Sequence, residues 1–447
     1  MLQLILFLAF LDLFQLKNLY FPFKKLTIEY LNQTKSIADF IDFNIYTNIS
    51  MGTPRKPVAH FISNDDKLFY YNKLSLHSHY SKEFDEIQNK IENSLNIYYI
   101  PRNSSTFEII NRDNKLFSDE YLFYDLNNTE KNTKLNFNMN PDEEKKKLYG
   151  NIDLYFMKED PYAHNKYFFK MIKDNNLIDD TYFTFMYGEY DIKFGSNYLN
   201  DDYTNIIGNL ILGESPHEFS PDKFKKEDEI KINGRFKLDI NKIKLDSKIS
   251  NYSEESTKIS ISFTSALIRG SLMFKNETDN IFFNDLISKN ICRIEYVDEN
   301  IYMSQDILYS CENNNIIQEK IKTFPPLYFL IRSYNLTFLF TYKELFQLLN
   351  KRLYFLIYYK TGTYSSWELG ELFLRKYITS FNYYSKTISF YKSQVDDINN
   401  KTYKIMPDEE AYANPDTELD TAQKDEMTKN KLKSWIIIVI VCVGQLY

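Results

Sequence analysis

Glycine and proline are scarce, at 11 and 12 of 447 residues, and cysteine is scarcer still, at three. With 43% hydrophobic and 26% charged residues, both near the averages for folded proteins, global disorder is excluded. The length excludes a peptide hormone, a knottin or a single small module, and allows two or three domains with a sizeable core. Basic charge is also short: 54 Lys and Arg against 61 Asp and Glu give a net charge of -7. No basic face is available to neutralise phosphates, so nucleic acid is not an expected partner. Heavy use of Tyr, Phe, Asn, Lys and Ile reads as the base bias of an A+T-rich gene, and aromatic richness therefore carries no functional weight.

Apolar runs long enough to span a bilayer are missing too, yet both ends are apolar. Residues 2–14 form a run of signal-peptide length ahead of Lys17, although the n-region has no Lys or Arg, Asp12 interrupts the run and no clear cleavage site follows. Segment 1–20 is therefore read as a signal peptide or N-terminal anchor. At the far end, Trp435 to Tyr447 is apolar and β-branched, after Lys429, Lys431 and Lys433. As a helix its thirteen residues reach about 20 Å into a hydrocarbon core about 30 Å thick. Segment 435–447 is then either a removable lipid-anchor signal, with small residues near Thr421 and Ala422, or part of a transmembrane helix. Both imply membrane attachment through the C-terminus and a place in the secretory pathway, at the cell surface or on an endomembrane. Segment 393–434, polar and acidic around Pro407, Asp408, Glu409 and Glu410, is read as a solvated stalk.

Cys442 lies in the apolar tail, which leaves Cys292 and Cys311 as the intramolecular pair available in an oxidising compartment. Asn-x-Ser/Thr triplets occur at Asn32, Asn48, Asn103, Asn127, Asn251, Asn276, Asn335 and Asn400. An Asn-rich chain generates such triplets freely, so each is only a glycosylation candidate, and Asn48 is disfavoured by its place in an expected strand.

The body reads as mostly β. Short apolar or alternating runs at Phe43–Ile49, Tyr182–Met186, Phe236–Leu245, Ile259–Phe263 and Leu327–Ile331 are separated by polar turns. Helical patterns are confined to Tyr80–Leu95, Lys166–Asn176 and Thr341–Lys351.

Five blocks then occur in order. They are Tyr46-Thr-Asn-Ile-Ser-Met-Gly-Thr-Pro54; Asn103-Ser-Ser-Thr-Phe107; Phe168 to Tyr187; Ile192-Lys-Phe-Gly195 with Asn205-Ile-Ile-Gly-Asn-Leu210 and the strand from Phe236; and Trp367-Glu-Leu-Gly-Glu-Leu-Phe-Leu-Arg-Lys-Tyr377 with Lys386-Thr-Ile-Ser-Phe390. In this order and spacing the chain resembles the pepsin-like aspartic peptidases. The resemblance implies a bilobal pepsin-like acid-protease fold, two β-barrel-like lobes with a central cleft, with an N-terminal lobe over 38–220 and a C-terminal lobe over 221–392.

That family uses two Asp residues, one from an Asp-Thr-Gly loop in each lobe, which share a proton and activate a water. Here the matching positions are Ser63, in Phe61-Ile-Ser-Asn-Asp-Asp-Lys67, and Ser262, in Ile259-Ser-Ile-Ser-Phe-Thr-Ser-Ala-Leu-Ile-Arg-Gly270. Both carboxylates and both loop glycines are missing; Asp65 or Asp66 is the fallback if the first loop slips. The family's flap, a hairpin tipped by a Tyr near Gly-Ser, cannot be read between Thr106 and Gly150. The supporting hydrophobic-hydrophobic-Gly survives in part as Glu368-Leu369-Gly370, and in the first lobe its glycine is Asp153. Cys311 resembles the family's second-lobe disulfide position.

His60 lies three residues from Ser63 along one strand, on the opposite face, so it is not expected to activate that hydroxyl. His77 and His79 lack a clear third metal ligand. No cofactor is expected. The leading expectation is a non-catalytic, membrane-attached binding or scaffold glycoprotein whose interlobe cleft takes an extended peptide or protein segment; the others are an active aspartic endopeptidase with an atypical site, and a structural surface coat protein.

Overall fold

The computed structural model describes residues 17–25, 45–63, 70–72, 98–113, 115–127, 129–139, 147–154, 168–188, 206–232, 236–246, 252–296, 306–349, 351–361, 366–393 and 405–406. The apolar run 2–14, Asn32, Asp65, Asp66, His77, His79, the Tyr80–Leu95 pattern, Asn251, Asn400 and the C-terminal apolar segment lie outside them. Among the described residues the protein is mostly β, built on two large curled sheets.

Alternation makes the strands. In Ile45–Met51 the side chains of Ile45, Thr47, Ile49 and Met51 are buried while Tyr46, Asn48 and Ser50 are half-buried, the period-2 signature of one face on a core. The turn that follows begins at Gly52, whose φ of +77° suits a residue without a Cβ. Beyond it, Lys56–Ser63 returns antiparallel, in register from Met51 on Lys56 to Ile45 on Ile62.

The first sheet orders thirteen strands from Phe224–Lys231 through Thr387–Ser393, Ile378–Asn382, Tyr182–Tyr187, Ile206–Leu212, Leu19–Lys25, Ile45–Met51, Lys56–Ser63, Tyr149–Asp153, Tyr70–Asn72, Glu130–Met139 and Leu116–Tyr124 to Glu108–Asn111. The second sheet centres on Lys237–Leu245 and Ser253–Ile261 and draws its other strands from residues 268–369, with Ile405–Met406 at one edge. The sheets therefore do not divide at residue 220. Three strands from beyond it join the first sheet, and Leu19 and Tyr20, grouped by sequence with the leader or anchor, open its Leu19–Lys25 strand. Ile405–Met406, inside the segment read as a solvated stalk, pairs with Phe338 and Thr337.

One run of pairings occurs twice. In the first sheet Lys56–Ser63 is parallel to Tyr149–Asp153, which is antiparallel to Tyr70–Asn72, which is parallel to Glu130–Met139, which is antiparallel to Leu116–Tyr124. In the second, Ser253–Ile261 is parallel to Glu368–Leu369, then antiparallel to Ile268–Gly270, parallel to Ile357–Lys360 and antiparallel to Asp306–Glu312. Each run starts from an antiparallel hairpin, Ile45–Met51 with Lys56–Ser63 and Lys237–Leu245 with Ser253–Ile261.

The two sheets meet through aromatic rings. Phe183, Phe185 and Phe381 from the first pack on Phe236 and Phe263, with centroid separations of 4.6 Å for Phe185–Phe263, 5.2 Å for Phe236–Phe381 and 5.4 Å for Phe263–Phe381. Such pairs add about 0.5–1.5 kcal/mol each beyond the area they bury.

Two sequence expectations are corrected. The Thr341–Lys351 pattern is a single helical turn, Tyr342–Leu345, followed by the strand Phe346–Leu349, which forms a hairpin with Arg352–Phe355. Thr341 and Glu344 form the capping box that starts the turn, and Lys351 at φ +65° closes the hairpin, so cross-strand pairing overrides helix propensity. The stretch from Thr106 to Gly150, where no Tyr-tipped flap with a Gly-Ser pair is legible, contains two hairpins: Glu108–Asn111 with Leu116–Tyr124, and Leu116–Tyr124 with Glu130–Met139. Neither turn uses glycine. Lys115 takes φ +54° in the first, and in the second Asp125 Oδ1 accepts from the amides of Asn127 (2.9 Å) and Thr129 (2.7 Å).

Candidate functional site

The repeated pairings place Ser63 and Ser262 at matching points. Ile62 pairs with Ile152 and Ser63 with Asp153 in the first run; Ile261 pairs with Leu369 in the second, and the Ser262 amide donates to Leu369 O at 2.9 Å. Ser63 is the last residue of the strand that opens its run and Ser262 directly follows the last residue of Ser253–Ile261, each beside the short parallel strand. Asp153 and Gly370 occupy the equivalent next positions.

Ser262 is 7% exposed. Its Oγ accepts from the Thr264 amide at 3.3 Å and lies 3.3 Å from Thr264 Oγ1, so the hydroxyl is spent on closing its own loop. Phe263 is fully buried in the aromatic cluster between the sheets. Gly370 is required by crowding: a Cβ there would stand 2.3 Å from Ser265 O and 2.4 Å from Leu267 O. Just beyond it the Glu371 amide donates to Ser265 O (2.8 Å) and the Leu372 amide to Ala266 O (3.1 Å). The chain after Gly370 therefore clamps the loop that carries Ser262 and starts the helix Glu371–Lys376.

In the first run, His60 is buried and its ring lies over Gly150, where a Cβ would come within 2.1 Å of it. Nδ1 is 2.8 Å from Val58 O. Burial pushes the imidazole down to about 4, only partly opposed by that carbonyl contact, so His60 is neutral near pH 7.

The Gly52-Thr53-Pro54 and Ser104-Ser105-Thr106 blocks, far apart in sequence, are joined. The Ser105 amide donates to Thr53 O at 2.8 Å and the Thr53 amide to Ser104 Oγ at 3.0 Å. The second block converges on Asp119, a fully buried side chain that accepts from Tyr99 OH, Ser104 Oγ (3.1 Å), Thr106 Oγ1 and the Glu120 amide (2.8 Å). Four donors offset the cost of burying that polar side chain. Sequence reasoning missed Asp119, because an Asp inside an alternating strand carries no sign that its face is inward. The second hairpin carries Tyr121, fully buried against Phe123 and beside His60, and its tip from Asp125 to Thr129 has no Gly-Ser pair.

Cys292 and Cys311 are bonded, with Cα atoms 3.9 Å apart, and face each other across antiparallel strands. Asn103, Asn127, Asn276 and Asn335 are exposed, whereas Asn48 is half-buried within its strand. Among the described residues no three His, Cys, Asp or Glu side chains gather as a metal-holding group, and no helix is long and apolar enough to cross a membrane. No protein-family model matches the chain, and no curated protein matches it.

Proposed function

We propose that the chain is a diverged, non-catalytic relative of the pepsin-like aspartic peptidases, a membrane-attached binding or scaffold glycoprotein of the secretory pathway. The observation that carries this reading is the doubled run of pairings with a serine at the same point of each copy, where the family has its two Asp residues. A serine hydroxyl does not act as general base on water as an ionised carboxylate does, nor share a proton with a partner. Phe263 strengthens the reading. It stands at the position of the family's bracing Thr, and there its ring serves the core between the sheets. The cleft that the resemblance implies then serves to hold an extended peptide or protein segment without cutting it.

The test is to equilibrate the whole protein, in detergent, with a library of unstructured peptides and to read retention and peptide mass together. Retention of intact peptides is expected. Cleaved products would turn the reading into that of an atypical peptidase, and neither retention nor cleavage would leave a structural coat protein.

A further inference from the structure

A second polar cluster gathers around Glu214. Gly213, at φ +100°, turns the chain out of Ile206–Leu212 so that Glu214 is buried, 5% exposed, just before the capped helix Pro216–Phe219. Asn18, also 5% exposed, donates through Nδ2 to Glu214 Oε2 and accepts through Oδ1 from the Leu126 amide at 2.8 Å. One side chain thus ties three segments: the start of Leu19–Lys25, the tip of the second hairpin and the chain after Ile206–Leu212. Leu126 packs against the apolar cluster of Tyr20, Met186, Ile211, Phe224, Ile378 and Tyr391.

The charges around the tie are mostly of one sign. Glu218 on the short helix, where it accepts from the Ser215 amide at 2.7 Å, and Asp179 in the turn that holds the Lys17 amide at 2.7 Å both repel the Glu214 carboxyl. Lys17 adds a side chain from the strand start, and at the hairpin tip Asp125 is paired with Lys131 at 3.4 Å. His217 lies on Tyr391, and burial holds its imidazole below the usual range.

We propose that the Asn18–Glu214 contact is an acid-closed latch between the first strand and the hairpin tip, closed while the Glu214 carboxyl is protonated and opened when it ionises. Ionisation places a charge in a desolvated site beside two other carboxylates, and the relief available is for Glu214 to swing into water and release Asn18. Burial first, then repulsion by Glu218 and Asp179, raises the Glu214 carboxyl to about 7, against the opposing Asn18 bond, so opening falls between acid and neutral conditions.

Hydrogen exchange on the full chain tests this at the Leu126 amide, after correction for intrinsic rates. Protection is expected to fall by about tenfold or more between roughly pH 5.5 and 8.5. Glu214→Gln is expected to flatten the profile, and Glu218→Gln to move its midpoint to lower pH. Uniform protection across that range would overturn the latch, as would the same fall in Glu214→Gln. If Glu214→Gln does not fold, an unmoved midpoint in Glu218→Gln overturns it instead.

Discussion

Phe263 is the residue on which the loop of the second run turns. Its ring touches Phe185, Phe236 and Phe381, so it is both a loop residue and part of the packing between sheets. Phe263→Ala is expected to cost about 3–5 kcal/mol in denaturant unfolding, the range for truncating a buried Phe. Phe263→Thr, which installs the residue that pepsin-like peptidases carry in the resembled loop, should destabilise comparably and confer no peptidase activity. His60 carries the acid sensitivity of the first run. Its folded-state pKa of about 4 lies below the ordinary 6.5, so its neutral form is the one folding favours. The contribution is fully present above 6.5 and is lost as pH falls through about 4, amounting to roughly 3 kcal/mol at the acid limit. Unfolding free energy measured across that window should show this slope, and His60→Phe should flatten it. At this scale the sequence was legible where chemistry limits the choices. Three cysteines, one in an apolar tail, leave one pair. Which of 36 Phe residues closes the gap between the sheets is not legible, because hydrophobic pattern gives the buried face and not the neighbour across it.

Among the elements, strands outlasted helices as expectations. Leu327–Ile331 and Tyr182–Tyr187 form where alternation or apolar runs placed strands, and Phe168–Asp174 is helical inside its expected span. The Thr341–Lys351 pattern failed because Leu345 and Phe346 satisfy helical spacing and also a buried turn-to-strand junction, and pairing with Arg352–Phe355 decides between them. The hairpins between Thr106 and Gly150 were hidden for a different reason: with Gly scarce, Lys115 and Asp125 make the turns. Asp125→Ala removes the acceptor for two amides and the partner of Lys131, and is expected to cost about 1–3 kcal/mol and to loosen the tip, read as lost amide protection at Asn127 and Thr129. The disulfide joins Cys292–Tyr296 to Asp306–Glu312 across a separation of 19 residues. Replacing both cysteines by Ser should cost about 3 kcal/mol in chemical denaturation, while the strand content by circular dichroism stays the same, since the backbone pairing does not depend on the bond.

For the whole molecule, the doubled order of pairings makes one chain out of two similar units joined by a shared sheet. Little of that doubling is visible in sequence, because the units share topology and the serine at each strand end but few side chains. Ile62 and Ile261, Ile152 and Leu369 are counterparts, while Asp153 and Gly370 show how far the two runs differ in side chains. The functional claim rests on what those matching points can do. Turnover tests it most directly: the purified protein is incubated with denatured protein substrate between about pH 3 and 6, with and without a pepstatin-type inhibitor. No cleavage above the inhibited control is expected, and none after Ser63→Asp and Ser262→Asp together, since Thr264 and Phe263 still fill the loop where pepsin-like peptidases have Gly and Thr. Pepstatin-sensitive cleavage by the unsubstituted protein would contradict a non-catalytic role and move the search for a carboxylate to Asp65 and Asp66.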